Sequence, residues 1–131
     1  MNTTNMINEK NYLDILLKDI PEFAQIYNKE KEDCDIGPNI TLGYLRRLLE
    51  EALKNHNTEL TRKIANFIIR CWKESRDEVG NAVFVTFFEN MNEQTFKEFS
   101  KSIPPKLVKE VEKFYKNFDK NMEEYYRKMK T

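Results

Sequence analysis

The side chains best suited to chemistry are few in this chain. His56 is the only histidine, and the two cysteines, Cys34 and Cys71, lie 37 positions apart. A Cys-His or Ser-His nucleophile system needs that one imidazole held beside a thiol or hydroxyl, and nothing in the spacing brings them together. His56 follows an apolar periodic stretch, which suits a residue complementing a helix C-terminus or an exposed loop. A zinc site needs several convergent Cys, His or carboxylate ligands. Two cysteines and one histidine so far apart make no such set, and no metal or other cofactor is expected.

The adjacent carboxylates Glu50-Glu51, Asp77-Glu78 and Glu123-Glu124 do not make acid/base pairs. Neighbours on a helix point about 100° apart, so each pair reads as solvated charge, with Asp77 and Glu78 as helix-start charges. No Gly-rich phosphate loop or dinucleotide loop is present. The stretch DCDIGPN (33–39) has acidic residues and a glycine, but lacks the alternating oxygen ligands and closing glutamate of a calcium loop. Arg46-Arg47 and the lysines of the last helix are interleaved with glutamates, which argues against a nucleic-acid surface.

Two features suit a protein partner instead. The acidic stretch Glu30, Glu32, Asp33 and Asp35 would meet a basic surface and speed encounter, with Asp77 and Glu78 as weaker candidates. The aromatic end of the chain, Tyr125 and Tyr126 beside Met122 and Met129, uses residue types favoured at interface cores. It offers a route to a homodimer through the last helix.

Composition narrows the classes further. The 131 residues suit one domain over 1–131, with 1–7 a loose N-terminus and 119–131 the projecting end of a long helix. Lysine plus arginine equals aspartate plus glutamate, 22 each. That excludes broad binding to nucleic acid or a membrane surface, which rests on excess positive charge. The balance is uneven: residues 1–100 carry 13 basic and 17 acidic side chains, and residues 101–131 carry 9 and 5. The N-terminus, MNTTNMINEKN, lacks the basic and apolar regions of a signal peptide. No run approaches the roughly 20 apolar residues that span a bilayer. The expected setting is a reducing cytoplasm with two unpaired thiols.

Helical elements must position all of these groups. Tyr12, Leu13, Leu16, Leu17 and Ile20 recur at helical spacing. Pro21 ends that helix and starts a second, bearing Phe23, Ile26 and Tyr27. Gly37-Pro38 marks a turn, Thr41 is placed to cap a third helix, and Leu42, Leu45, Leu48, Leu49, Ala52 and Leu53 form its stripe. Arg46, Arg47, Glu50 and Glu51 face outward there. Asn57 or Thr58 caps a fourth helix with Leu60, Ile64, Phe67, Ile68, Cys71 and Trp72. Ser75-Arg76-Asp77-Glu78 matches a capping box, and the run after it is apolar all round. A segment apolar on every side is buried on every side. Its Val, Phe and Thr also suit a β-strand, but a lone strand cannot satisfy its backbone, so a central helix is expected at 76–91. A short helix with Phe96 and Phe99 follows, then the Ile103-Pro104-Pro105 break and a last helix toward Met129. The fold class is thus all-α: a single compact domain of about six helices, in antiparallel pairs around that central helix. Such pairs can stack in a solenoid-like way, although no sequence repeat marks one.

The run GNAVFVTFFENMN, the short helix after it and the break SIPPKLVKEVEKF resemble a family of small bacterial helical proteins with no assigned function. Its members open with a helix leading into a Pro-Glu step, as LKDIPEF does here, and Glu89 and Asn90 match the end of their apolar run. The resemblance covers most of residues 12–118. Such families look like the immunity-type proteins encoded beside bacterial toxins. That likeness implies a protein that binds one partner, a toxin domain, and blocks it without catalysis.

Overall fold

The fold is described from a computed structural model. It covers residues 6–30 and 37–129, and only the backbone in the stretches 29–30, 117–126 and 128–129. Among the described residues seven α-helices follow one another: α1 (Tyr12–Asp19), α2 (Ala24–Glu30), α3 (Pro38–Lys54), α4 (Thr58–Glu74), α5 (Glu78–Ala82), α6 (Glu93–Phe99) and α7 (Pro105–Met129). The turn Pro21–Phe23 leads into α2, with Pro21 at the helix start, where its missing N–H has no cost. Among the described residues there is no strand.

The apolar run at the centre does not continue as an α-helix. After Ala82 it widens into a π-helical turn over Val83–Phe88, with Glu89 N–H bonded to Phe84 O at 3.0 Å. The wider turn inserts one residue into the helical ladder, and Val83, Phe87 and Phe88 all reach full burial. This segment packs chiefly against α3 and joins it to α7. Thr86 Oγ1 donates to Asn39 Oδ1 at 2.7 Å, fastening the segment to the first turn of α3. The Tyr115 hydroxyl on α7 donates to the Phe88 carbonyl at the end of the wide turn.

Seven aromatic rings surround the π turn. Phe87 meets Phe88 edge-on at 5.1 Å and Phe99 at 5.7 Å; Phe88 meets Phe96 at 6.1 Å; Phe96 meets Tyr115 at 5.6 Å; Phe84 meets Phe114 at 5.8 Å. Tilted and edge-on pairs of this kind contribute about 0.5–1.5 kcal/mol each beyond their buried area. The rest of the core comes from the stripes of α3 and α4, with Leu42, Leu45, Leu49, Ile64, Phe67 and Ile68 fully buried.

Gly80 permits the close approach of α5 to the end of α4. A Cβ there would stand 2.6 Å from Ser75 O, nearer than real side chains come to backbone. Trp72 Nε1 donates to Glu110 Oε2 at 2.8 Å, tying α4 to α7.

Several local expectations are corrected. Thr41 does not cap α3: the helix begins at Pro38 with Gly37 as its N-cap. Thr41 is buried inside it, its hydroxyl donating back to Gly37 O at 2.9 Å. Proline at the first helical position moved the start four residues upstream. Ser75 does not cap the central helix either. It closes α4, and its hydroxyl donates to Ile7 O at 2.7 Å. The cap is Asp77, whose Oδ1 accepts from Val79 N–H at 3.1 Å. Of the supposedly loose terminus, Ile7 is a core residue, 1% exposed, and residues 1–5 lie outside the described residues. Arg46 does not face outward: its side chain is 16% exposed. It sits about 90° from the centre of the α3 stripe on a 3.6-residue turn, at the edge of the core, whereas Arg47 points away and is exposed.

Candidate functional site

Of the residues proposed from sequence for partner binding, Asp77 and Glu78 are described. Both stand at the start of α5, and Glu78 is exposed. Asp77 is half-buried and uses both oxygens: Oδ1 caps α5 and Oδ2 accepts from Glu9 N–H at 3.0 Å. It therefore fastens the N-terminal segment to the central helix. Glu32, Asp33 and Asp35, together with the side chains of Glu30, Tyr125 and Tyr126, lie outside the described residues.

His56 follows α3 with a positive φ of 56°. Its N–H bonds to Leu53 O at 3.2 Å, and Asn57 N–H bonds to Ala52 O at 2.8 Å. This pair of bonds is the Schellman ending, which places its left-handed residue just past the helix. Asn57 then caps α4, its side chain accepting from Leu60 N–H at 3.1 Å. The imidazole is exposed at an open depression of about 240 Å³, shared with Leu53, Thr61, Glu98, Lys101 and Ser102. Glu98 there pairs with Lys101 at 3.7 Å. Histidine occupies a left-handed position that favours glycine, with its ring exposed.

Cys71 is a free, buried thiol. Burial, aided by Glu74, pushes it up to about 12, so it is protonated at neutral pH and its nucleophilic form is suppressed. Cys34 lies outside the described residues. No group of three or more His, Cys, Asp or Glu converges to hold a metal among the described residues, and none of their helices is long and apolar enough to cross a membrane.

One surface escaped sequence reasoning. Over the first turns of α3, Ile40, Gly43, Tyr44, Arg46 and Arg47 line a depression of about 210 Å³. Ile40 is 47% exposed, and the Arg47 guanidinium carbon lies 5.3 Å from the centre of the Tyr44 ring. Arg46 Nη1 donates to Glu50 Oε2 at 2.7 Å, while its buried Nε has no acceptor among the described residues. The signal was available: Ile40 is an apolar residue out of phase with the α3 stripe. A second charged surface runs along α7, where Lys109, Glu112, Lys113 and Lys116 line a depression of about 500 Å³.

These features define an all-α domain whose described depressions are lined by mixed apolar and charged side chains. The chain matches the model of DUF7674, a domain of unknown function, over residues 13–127, and it belongs to that family. Comparison with curated proteins and with solved structures finds no match.

Proposed function

We propose that this chain is a non-enzymatic protein-binding module of the cytoplasm, an immunity-type protein that occludes a cognate bacterial toxin. The observation that carries the reading is the character of its surface. Small-molecule sites are typically concave and mostly apolar, with a few placed polar groups. The α3 depression combines Ile40 and Tyr44 with Arg46 and Arg47, and tyrosine and arginine are enriched where proteins meet; the α7 depression is bordered by Lys109, Glu112, Lys113 and Lys116. The central run and its flanks resemble a family of small bacterial helical proteins with no assigned function, and the likeness of such families to immunity-type proteins supports the same reading. The acidic stretch Glu30, Glu32, Asp33 and Asp35 is the first candidate contact, steering a basic toxin surface into place. Glu78 is a weaker one, and Asp77 weaker still because its carboxylate is engaged within the fold.

The test is co-expression with each neighbouring gene of the source organism. A neighbour that arrests growth alone and is tolerated beside this chain supports the reading. Equal arrest with and without the chain, for every toxic neighbour, sinks it.

A second reading rests on α7. The helix runs 25 residues, about 38 Å at 1.5 Å per residue, yet its buried hydrophobic residues among those described are Leu107 and Val111. Phe114 and Tyr115 pack on the aromatic cluster around the π turn, and this reading assigns the end of the helix, with Tyr125 and Tyr126, to self-association into a homodimer. Truncation after Phe118 then lowers the mass in solution; an unchanged monomer rules this reading out.

A further inference from the structure

We propose that the face of α3 presenting Ile40, Tyr44 and Arg47, with Arg46 at its edge, is a docking surface for a partner-protein loop that carries an acidic residue beside an apolar one. Three observations converge there. Ile40 is one of only two large hydrophobic side chains exposed among the described residues. Arg46 is held in place by Glu50, at 2.7 Å, and retains a buried Nε–H with no acceptor among those residues. Arg47 is laid over the Tyr44 ring at 5.3 Å, which orients a second guanidinium beside the first.

A guanidinium fork matches a carboxylate in two parallel bonds. Arg46, its Nη1 already committed to Glu50, lines the depression together with Arg47, and the two guanidinium groups supply the positive charge that an incoming carboxylate complements. An aliphatic or aromatic neighbour of that carboxylate then covers Ile40. Tyrosine and arginine are the residue types on which binding energy concentrates. Glu50 at the edge favours a monoanionic carboxylate over a phosphate, since the dianion meets more repulsion.

This inference adds the chemistry of one contact to the protein-binding reading, and its test needs no natural partner. The full chain is titrated with the peptide acetyl-Leu-Asp-Phe-amide while the Nε–H resonances of Arg46 and Arg47 are followed by NMR. The expected result is a saturable shift of the Arg46 resonance. Binding weakens at least tenfold when asparagine replaces aspartate in the peptide. It weakens similarly in Ile40→Ser and Arg47→Gln, which leave Arg46 in place as the reporter. Equal response to the aspartate and asparagine peptides, an equally strong response to inorganic phosphate, or no saturable shift overturns the proposal. Such a failure leaves toxin occlusion to its own growth test, and failure of the growth test leaves the titration result standing.

Discussion

Replacing Gly80 by alanine tests the packing of the central helix most sharply. The new methyl would lie 2.6 Å from Ser75 O and 3.1 Å from the Ser75 carbonyl carbon. Both are backbone atoms, so no flexible side-chain end can swing away. Ser75 is pinned from two sides: its N–H bonds to Cys71 O at 2.9 Å, and its hydroxyl bonds to Ile7 O at 2.7 Å. Overpacking a well-filled site costs about 1–3 kcal/mol, and the rigid surroundings favour the upper half of that range. Alanine returns about 1 kcal/mol of helix propensity relative to glycine. The net loss is about 1–2 kcal/mol, a fall in Tm of roughly 3–10 °C for a domain of this size. Gly43 supplies the internal control. A methyl there meets Thr86 Cγ2 at 3.5 Å, ordinary contact, so Gly43→Ala retains the propensity gain and stabilises by about 0.5–1 kcal/mol. Urea unfolding followed by far-ultraviolet circular dichroism measures both. A Gly80→Ala protein as stable as wild type, or a Gly43→Ala protein destabilised by more than about 1 kcal/mol, refutes the packing described for α5 and the π turn.

Three further outcomes follow from individual side chains. Tyr115→Phe removes the donor to the Phe88 carbonyl and lowers stability by about 1 kcal/mol. Burial, with the Glu89 carboxylate nearby, pushes the Tyr115 hydroxyl up to about 12, above its unfolded value near 10. The folded state therefore holds this proton more tightly. The resulting stability is fully present below pH 10 and is lost as pH rises toward 12, and alkaline unfolding of Tyr115→Phe shows a shallower loss across that window. His56→Gly relieves a left-handed backbone and raises stability by about 1 kcal/mol, measured by urea unfolding; a loss instead would give the imidazole a role the structure does not. Asp77→Ala forfeits the α5 cap and the Glu9 tether for about 1–2 kcal/mol, whereas Asp77→Asn keeps an acceptor oxygen for only one of the two bonds and falls between Ala and wild type, as thermal melts of the two variants will register.

Much of the architecture was legible because side chains recur with the helical period. The leucines of α3 and the apolar residues of α4 fall on one face each, and burial follows that face, with Leu53 and Trp72 partly buried at its ends. The central segment was legible as helical and buried, yet its π turn was hidden. A run that is apolar on every side carries no phase, and an inserted residue is visible only as a change of phase. The caps failed for a different reason. Ser75-Arg76-Asp77-Glu78 contains two residues able to cap, and the choice fell to Asp77 once Ile7 captured the Ser75 hydroxyl across 68 positions. No local pattern encodes so distant a partner. The half-buried Arg46 is similar, since charge alone said outward while its angular position beside the stripe said otherwise. Of the candidate binding residues, Asp77 is legible as architecture, and the acidic stretch at 30–35 and the two terminal tyrosines remain functional candidates on sequence grounds.

The central claim is that this domain works by binding one protein partner through charge. Affinity capture from the source organism's lysate, read by mass spectrometry, tests it with wild type beside a variant carrying Glu30, Glu32, Asp33 and Asp35 changed to serine. The account predicts one protein held by wild type, encoded beside this gene, and lost from the variant. Absence of any specific capture by wild type in cells that express the neighbouring genes contradicts it.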